Sequence, residues 1–149
     1  MDPSTLFRFC NLAVLPGWAM LVFLPRWRLT RELIPAVILP LALAMVYLYL
    51  VVAYFGAAKS GGFGSLDGVS ALFQDPHVLL AGWIHYLVFD LFIGSWELRD
   101  SQALGISHLL LIPCLVLTFM FGPVGLLLYF IVRVTLRHQL QINPTNKNA

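Results

Sequence analysis

The stretch Ala81 to Glu97, AGWIHYLVFDLFIGSWE, sets a histidine, an aspartate and a glutamate in a run otherwise apolar enough to cross a membrane. A charge at the bilayer centre costs about 2.5 to 3.5 kcal/mol on insertion scales, so an intramembrane carboxylate marks a functional site by default. On a helix from Val78 to Leu98, Asp90 stands about 3 Å from the midpoint, too deep for its short side chain to reach water. It needs a partner, a cavity or a proton. At 100° per residue Trp83, Tyr86, Asp90, Gly94 and Glu97 share one sector, a polar and aromatic face. His85 lies about 140° around the helix from Asp90 and about 7.5 Å along it, so the two do not pair directly. They read as two walls of one lipid-accessible cavity.

Each of these residues also has a quieter reading. Asp90 and His85 suit interhelical hydrogen bonding that serves packing alone. Glu97, beside Arg99 and Asp100, reads most simply as half of an interfacial salt bridge. Trp83, Tyr86 and Trp96 also suit a lipid-facing aromatic belt. In the first apolar segment Arg8, Asn11, Leu15, Trp18 and Val22 recur at helical spacing, and Asn11 is deep enough to act as interhelical glue or as an orienter of a substrate or carboxylate. His108 falls within a turn of the start of its segment, which favours an interfacial histidine over a site role. A metal reading would gather His85, Asp90, Glu97 and His108 as nitrogen and oxygen ligands suited to iron or zinc. Their different helix faces, and the lack of an HxxxH or ExxH ladder, count against it, so no cofactor is predicted.

Composition fixes the class. Of 149 residues 60% are hydrophobic and only 11% charged, where soluble domains carry about 25%. This is the composition of an integral membrane protein with one compact domain and no room for a separate soluble catalytic domain. The net charge of +2 comes from scattered Lys and Arg, so no basic stripe supports nucleic-acid binding. Cys10 and Cys114 both sit in apolar segments without CxxC spacing, which predicts neither a disulfide framework nor a zinc site. The first segment lacks a basic leader and reads as a retained helix, placing the protein in a bacterial inner membrane or, in a plant or alga, a plastid membrane.

Four apolar segments, at about 5–24, 33–55, 76–98 and 106–132, predict an all-α, integral membrane four-helix bundle. The fourth is longer than one crossing needs and carries FGPVG at Phe121 to Gly125, which predicts a kink or break near Gly122 and Pro123. The polar tail INPTNKNA is expected to fray. With four crossings both ends of the chain share the side of the long loop that carries Lys59. Basic residues then count four on the Arg26 face against five on the other, which leaves orientation open.

The strings GWIHYLVFDLFIG, NLAVLPGW at Asn11 to Trp18 and IPCLVLTFMFGPVGLLLY at Ile112 to Tyr129 resemble the abscisic-acid-deficient-four-like family of small membrane proteins, over nearly the whole chain. The plant members are neoxanthin synthases, so the resemblance implies conversion of an epoxide, violaxanthin, into an allene. That change is a net isomerisation: an acid protonates the epoxide oxygen while a base takes a proton from the adjacent polyene carbon. On this reading Asp90 is the acid, His85 the base and Asn11 an orienter, while Trp83, Tyr86, Phe89, Trp18, His108 and Glu97 line the substrate. The partners implied are a carotenoid or other apolar isoprenoid and the surrounding lipid, with a homo-oligomer left open. A non-catalytic pigment-binding or assembly protein is the competing expectation. A proton-coupled carrier has thinner support, because one Asp and one His without inverted repeats make a poor relay.

Overall fold

The computed structural model describes residues 2–57 and 61–142, whose regular elements are all helical. Lys59 and the tail from 143 onward lie outside the described residues. The first helix, α1 (Pro3–Phe23), begins where the sequence supplies a cap: the Asp2 carboxylate accepts from the Thr5 backbone N–H at 3.0 Å, ahead of a proline whose missing N–H costs nothing there. After Pro25 the chain reverses into α2 (Arg28–Glu32) and α3 (Leu39–Tyr54). Pro35 falls between the two and has no N–H to give, and the backbone widens there into a π turn in which Ile38 donates to the Leu33 carbonyl at 2.9 Å. The ladder otherwise carries on, so Arg28–Tyr54 forms one apolar rod of 27 residues.

A short helix, α4 (Leu66–Leu72), capped by Ser65, leads to the longest element, α5 (Pro76–Ala103). Asp75 caps α5 by accepting from His77 at 2.8 Å. Its 28 residues extend about 42 Å, which places Asp90 at the middle. Both neighbours are fixed in direction by end contacts. α1 runs parallel to α5, because Pro3 and Pro76 share a surface groove and Gln102 donates to the Pro25 carbonyl at 2.7 Å. α3 runs antiparallel, because Tyr54 at its end stacks on His77 at 3.8 Å. Among the described residues three helical stretches, Pro3–Phe23, Arg28–Tyr54 and Pro76–Ala103, are long and apolar enough to cross a membrane. Their shared core includes Val14, Trp18, Leu21, Leu43, Leu50, Ile84, Leu87 and Leu91.

The last part of the chain departs from the expected fourth crossing. The helix breaks at Gly122, as FGPVG predicted, into α6 (His108–Phe121) and α7 (Pro123–Arg137). The two do not continue in one direction. His108 Nε2 meets the Val22 carbonyl at 2.9 Å at the Ala103 end of the bundle, and α7 returns to that same end. There Tyr129 donates to Asp100 at 2.5 Å, Arg133 pairs with Asp100 at 2.8 Å, and Arg137 donates to the Gly105 carbonyl. Residues 108–137 therefore form a helical hairpin in place of the single crossing expected over 106–132, with limbs of 14 and 15 residues, about 21 and 22 Å long. The reason lies at two glycines. Gly122 has φ +46 and ψ −95, a conformation that L side chains rarely adopt. A Cβ on Gly125 would fall 2.0 Å from the Thr118 backbone nitrogen, so only glycine lets the limbs close.

Candidate functional site

The tip of the hairpin lies against the middle of α5. A Cβ built on Gly122 would stand 2.8 Å from Asp90 Oδ1, which places the carboxylate directly on the turn. Asp90 Oδ2 is buried and has no hydrogen-bond partner among the described residues. The residue as a whole remains partly exposed. Gly122 and Pro123 open α7, so the carboxylate also sits at a helix N-terminus, where the aligned peptide dipoles favour negative charge. One turn earlier on α5, Tyr86 donates to the Phe119 carbonyl at 3.0 Å and ties α5 to the last turn of α6.

Two turns further along α5, Glu97 is fully buried. The Thr118 hydroxyl of α6 reaches both of its carboxylate oxygens, at 3.0 and 3.2 Å. The expected interfacial salt bridge of Glu97 is corrected: it has no basic partner among the described residues, because the hairpin covers it, and the ion pair at this end belongs to Asp100 and Arg133. Glu97, expected to line a substrate, has no exposed surface in this arrangement. Arg133 is equally buried and also donates to the carbonyls of Leu140 at 3.1 Å and Gln141 at 2.6 Å, which folds the chain after His138 back onto α7.

The shared face of Trp83, Tyr86, Asp90, Gly94 and Glu97 does point one way, toward α1 and the hairpin. Trp83 donates its indole N–H to Asn11 Oδ1 at 3.2 Å, and Asn11 in turn donates to the Phe7 carbonyl at 2.8 Å, so this amide ties α1 to α5 near their starts. Trp18 is buried against Phe119, ring centroids 5.3 Å apart. Phe89 is exposed beside Asp90 in sequence and packs its ring on His85 at 4.5 Å. His108 is held by the Val22 carbonyl at the bundle end.

His85 is not brought to Asp90. It faces Tyr47, centroids 5.8 Å apart, in an apolar groove of about 300 Å³ between α3, α4 and α5 whose lining includes Phe55, Phe63 and Phe73. The expected single cavity with two walls is thus two separate places. The alternative ligand set is not gathered either, since His85 and His108 lie against different neighbours and no three His, Cys, Asp or Glu side chains converge among the described residues.

Sequence reasoning missed Thr118, Tyr129 and Arg133. The last two had a signal: Gly125, Tyr129 and Arg133 recur every fourth residue and form the buried stripe of α7, an odd place for a guanidinium unless a carboxylate waits opposite.

These features define an all-helical protein built around one long helix, with a carboxylate at its middle held against the tip of a helical hairpin. The chain belongs to the ABA DEFICIENT 4-like family, whose sequence model matches residues 5–129, a span that includes Asp90, Glu97 and Gly122. It is similar to Protein ABA DEFICIENT 4, chloroplastic, of Arabidopsis thaliana, at 25% identity over 143 residues, covering 91% of this chain. The chain spans 64% of the length of that relative. No solved structure matches.

Proposed function

We propose that this chain is a membrane enzyme that isomerises an apolar isoprenoid of the carotenoid class, with the Asp90 carboxyl as the acid–base group. The observation that carries the reading is Asp90 at the middle of α5, against the Gly122 turn, with one oxygen buried and without a hydrogen-bond partner among the described residues. Opening a 5,6-epoxide to an allenic alcohol breaks the C6–O bond and the C7–H bond, adds a proton to the oxygen left on C5, and forms the C6=C7=C8 allene. One carboxylic acid can do both transfers: its O–H protonates the epoxide oxygen while its other oxygen takes the proton from C7. The carboxyl is regenerated at each turnover, and no proton has to travel to a distant base. That economy suits a site where His85 stands elsewhere.

The same reading supplies a membrane placement. Three helices cross, and α6 and α7 enter from the Ala103 end, turn near the midplane at Asp90, and leave on the side they entered. Irregular backbone at that depth is tolerated where protein covers it, and α5 flanks the Gly122 turn. Arg26, Arg28, Arg31, Arg99, Arg133 and Arg137 then share one side, against Arg8 on the other among the described residues, so positive-inside counting favours the Ala103 end on the cytoplasmic or plastid-stromal side. A ring-bearing polyene would approach Asp90 laterally from lipid, past Phe89, which is exposed.

A non-catalytic pigment-holding protein is the second reading, favoured by the aromatic groove at His85 that stands apart from Asp90. Production in hosts that make different carotenoids, with chromatography and mass analysis of the pigments, separates the two. A new pigment of unchanged mass supports the isomerase. Co-purification of pigment with no change in the profile replaces it by the binder.

A further inference from the structure

The Ala103 end holds a cleft that the isomerase reading leaves unused. It is an open depression of about 410 Å³ between α2 and the last turns of α5, lined by Arg31, Glu32, Arg99, Gln102 and Ala103. Its charges do not cancel. The Glu32 carboxylate is taken by Arg28, whose Nε lies 2.9 Å from Oε2, and Arg31 stands 3.8 Å from Glu32, beyond hydrogen-bond reach. Arg31 Nε is buried and has no hydrogen-bond partner among the described residues. Arg99 has no ion pair among the described residues, Arg31 has only the long contact to Glu32, and the Gln102 amide is occupied by the Pro25 carbonyl. Two guanidiniums therefore face one cleft with a single carboxylate that is already neutralised.

We infer that this cleft binds the phosphate of an anionic lipid headgroup. Guanidinium groups match phosphate oxygens in pairs, and basic pockets between helices at a membrane edge suit such headgroups. The depth agrees. Arg99 lies nine residues beyond Asp90, about 13.5 Å along α5, and half of an apolar core about 30 Å thick is about 15 Å. The cleft thus opens where headgroups lie if Asp90 is at the midplane. The inference rests on the membrane placement proposed above and is independent of the isomerase chemistry.

The test is native mass spectrometry of the full chain released from detergent after incubation with phosphatidylglycerol or phosphatidylcholine. The wild type is expected to retain phosphatidylglycerol at least about fivefold better, and Arg31→Gln with Arg99→Gln to abolish that preference without lowering the unfolding temperature. Arg26→Gln, which removes a charge from the same end but not from the cleft, is expected to leave the preference intact. Millimolar inorganic phosphate is expected not to compete. Equal retention of the two lipids, or a preference that survives the double substitution, overturns the site. Loss of the preference in Arg26→Gln as well replaces a site by bulk charge, and displacement by inorganic phosphate replaces the lipid by the free anion. A chain that washes off membranes at alkaline pH would fail the placement itself, and that is read separately by fractionation.

Discussion

Arg133 of α7 and Asp100 of α5 form an ion pair at 2.8 Å with both side chains withdrawn from solvent, and this contact decides which way the end of the chain runs. The residues are 33 apart in sequence, and a straight continuation of α6 would carry Arg133 away from Asp100. Nη2 adds a hydrogen bond to the other carboxylate oxygen at 3.3 Å, and the Tyr129 hydroxyl donates to the same carboxylate. Removing one partner of a buried pair strands the other, at a cost of about 3 to 5 kcal/mol, whereas replacing both with apolar residues is often close to neutral. Asp100→Asn or Arg133→Met alone is therefore expected to lower stability by about 3 kcal/mol, and Asp100→Leu with Arg133→Met by less than either. Thermal unfolding in detergent checks this order.

The hairpin predicts sidedness. Pro3 and Arg137 lie at opposite ends of the bundle, so tags placed before α1 and after α7 should be protected from an impermeant reagent on opposite sides of a sealed membrane. Four crossings would put both tags on one side. Cysteine labelling of vesicles of known orientation is the measurement.

Two glycines should differ in their intolerance of a methyl group. Gly122→Ala forces an L residue into a conformation worth about 1 to 3 kcal/mol of strain and pushes on Asp90 Oδ1, which can swing aside. Gly125→Ala drives Cβ into the Thr118 backbone, which cannot. Gly125→Ala is expected to lower protein yield, and Gly122→Ala to spare yield but reduce product roughly tenfold, the equivalent of about 1.4 kcal/mol at the reacting carboxyl.

The buried Glu97 depends on one donor. Thr118→Val keeps the shape and removes the hydroxyl, leaving the carboxylate without a hydrogen bond among the described residues, at an expected cost of about 1 to 3 kcal/mol. Thr118→Ser should restore most of it. Denaturation midpoints of the two variants read the difference.

The three long helices were legible because each carries a local apolar run of about twenty residues, and two of them also open on a capping Asp–Pro pair, Asp2–Pro3 and Asp75–Pro76. So was the break at Gly122. The reversal was not, because FGPVG says that the helix stops and nothing about the direction in which it resumes. That information sits in a long-range pair, Asp100 with Arg133, and in the steric demand at Gly125. The face of Asp90 was likewise legible from helical period, while the separation of His85 depends on how α3 and α4 pack, which no local pattern carries.

The central claim is that the Asp90 carboxyl performs the chemistry and His85 does not. Wild type, Asp90→Asn and His85→Ala should be produced at matched membrane levels in a host that accumulates a 5,6-epoxycarotenoid, and the extracted pigments separated by chromatography. An allenic isomer of unchanged mass that is lost in Asp90→Asn and retained in His85→Ala is the predicted result. The same isomer formed by Asp90→Asn at the wild-type level would contradict it.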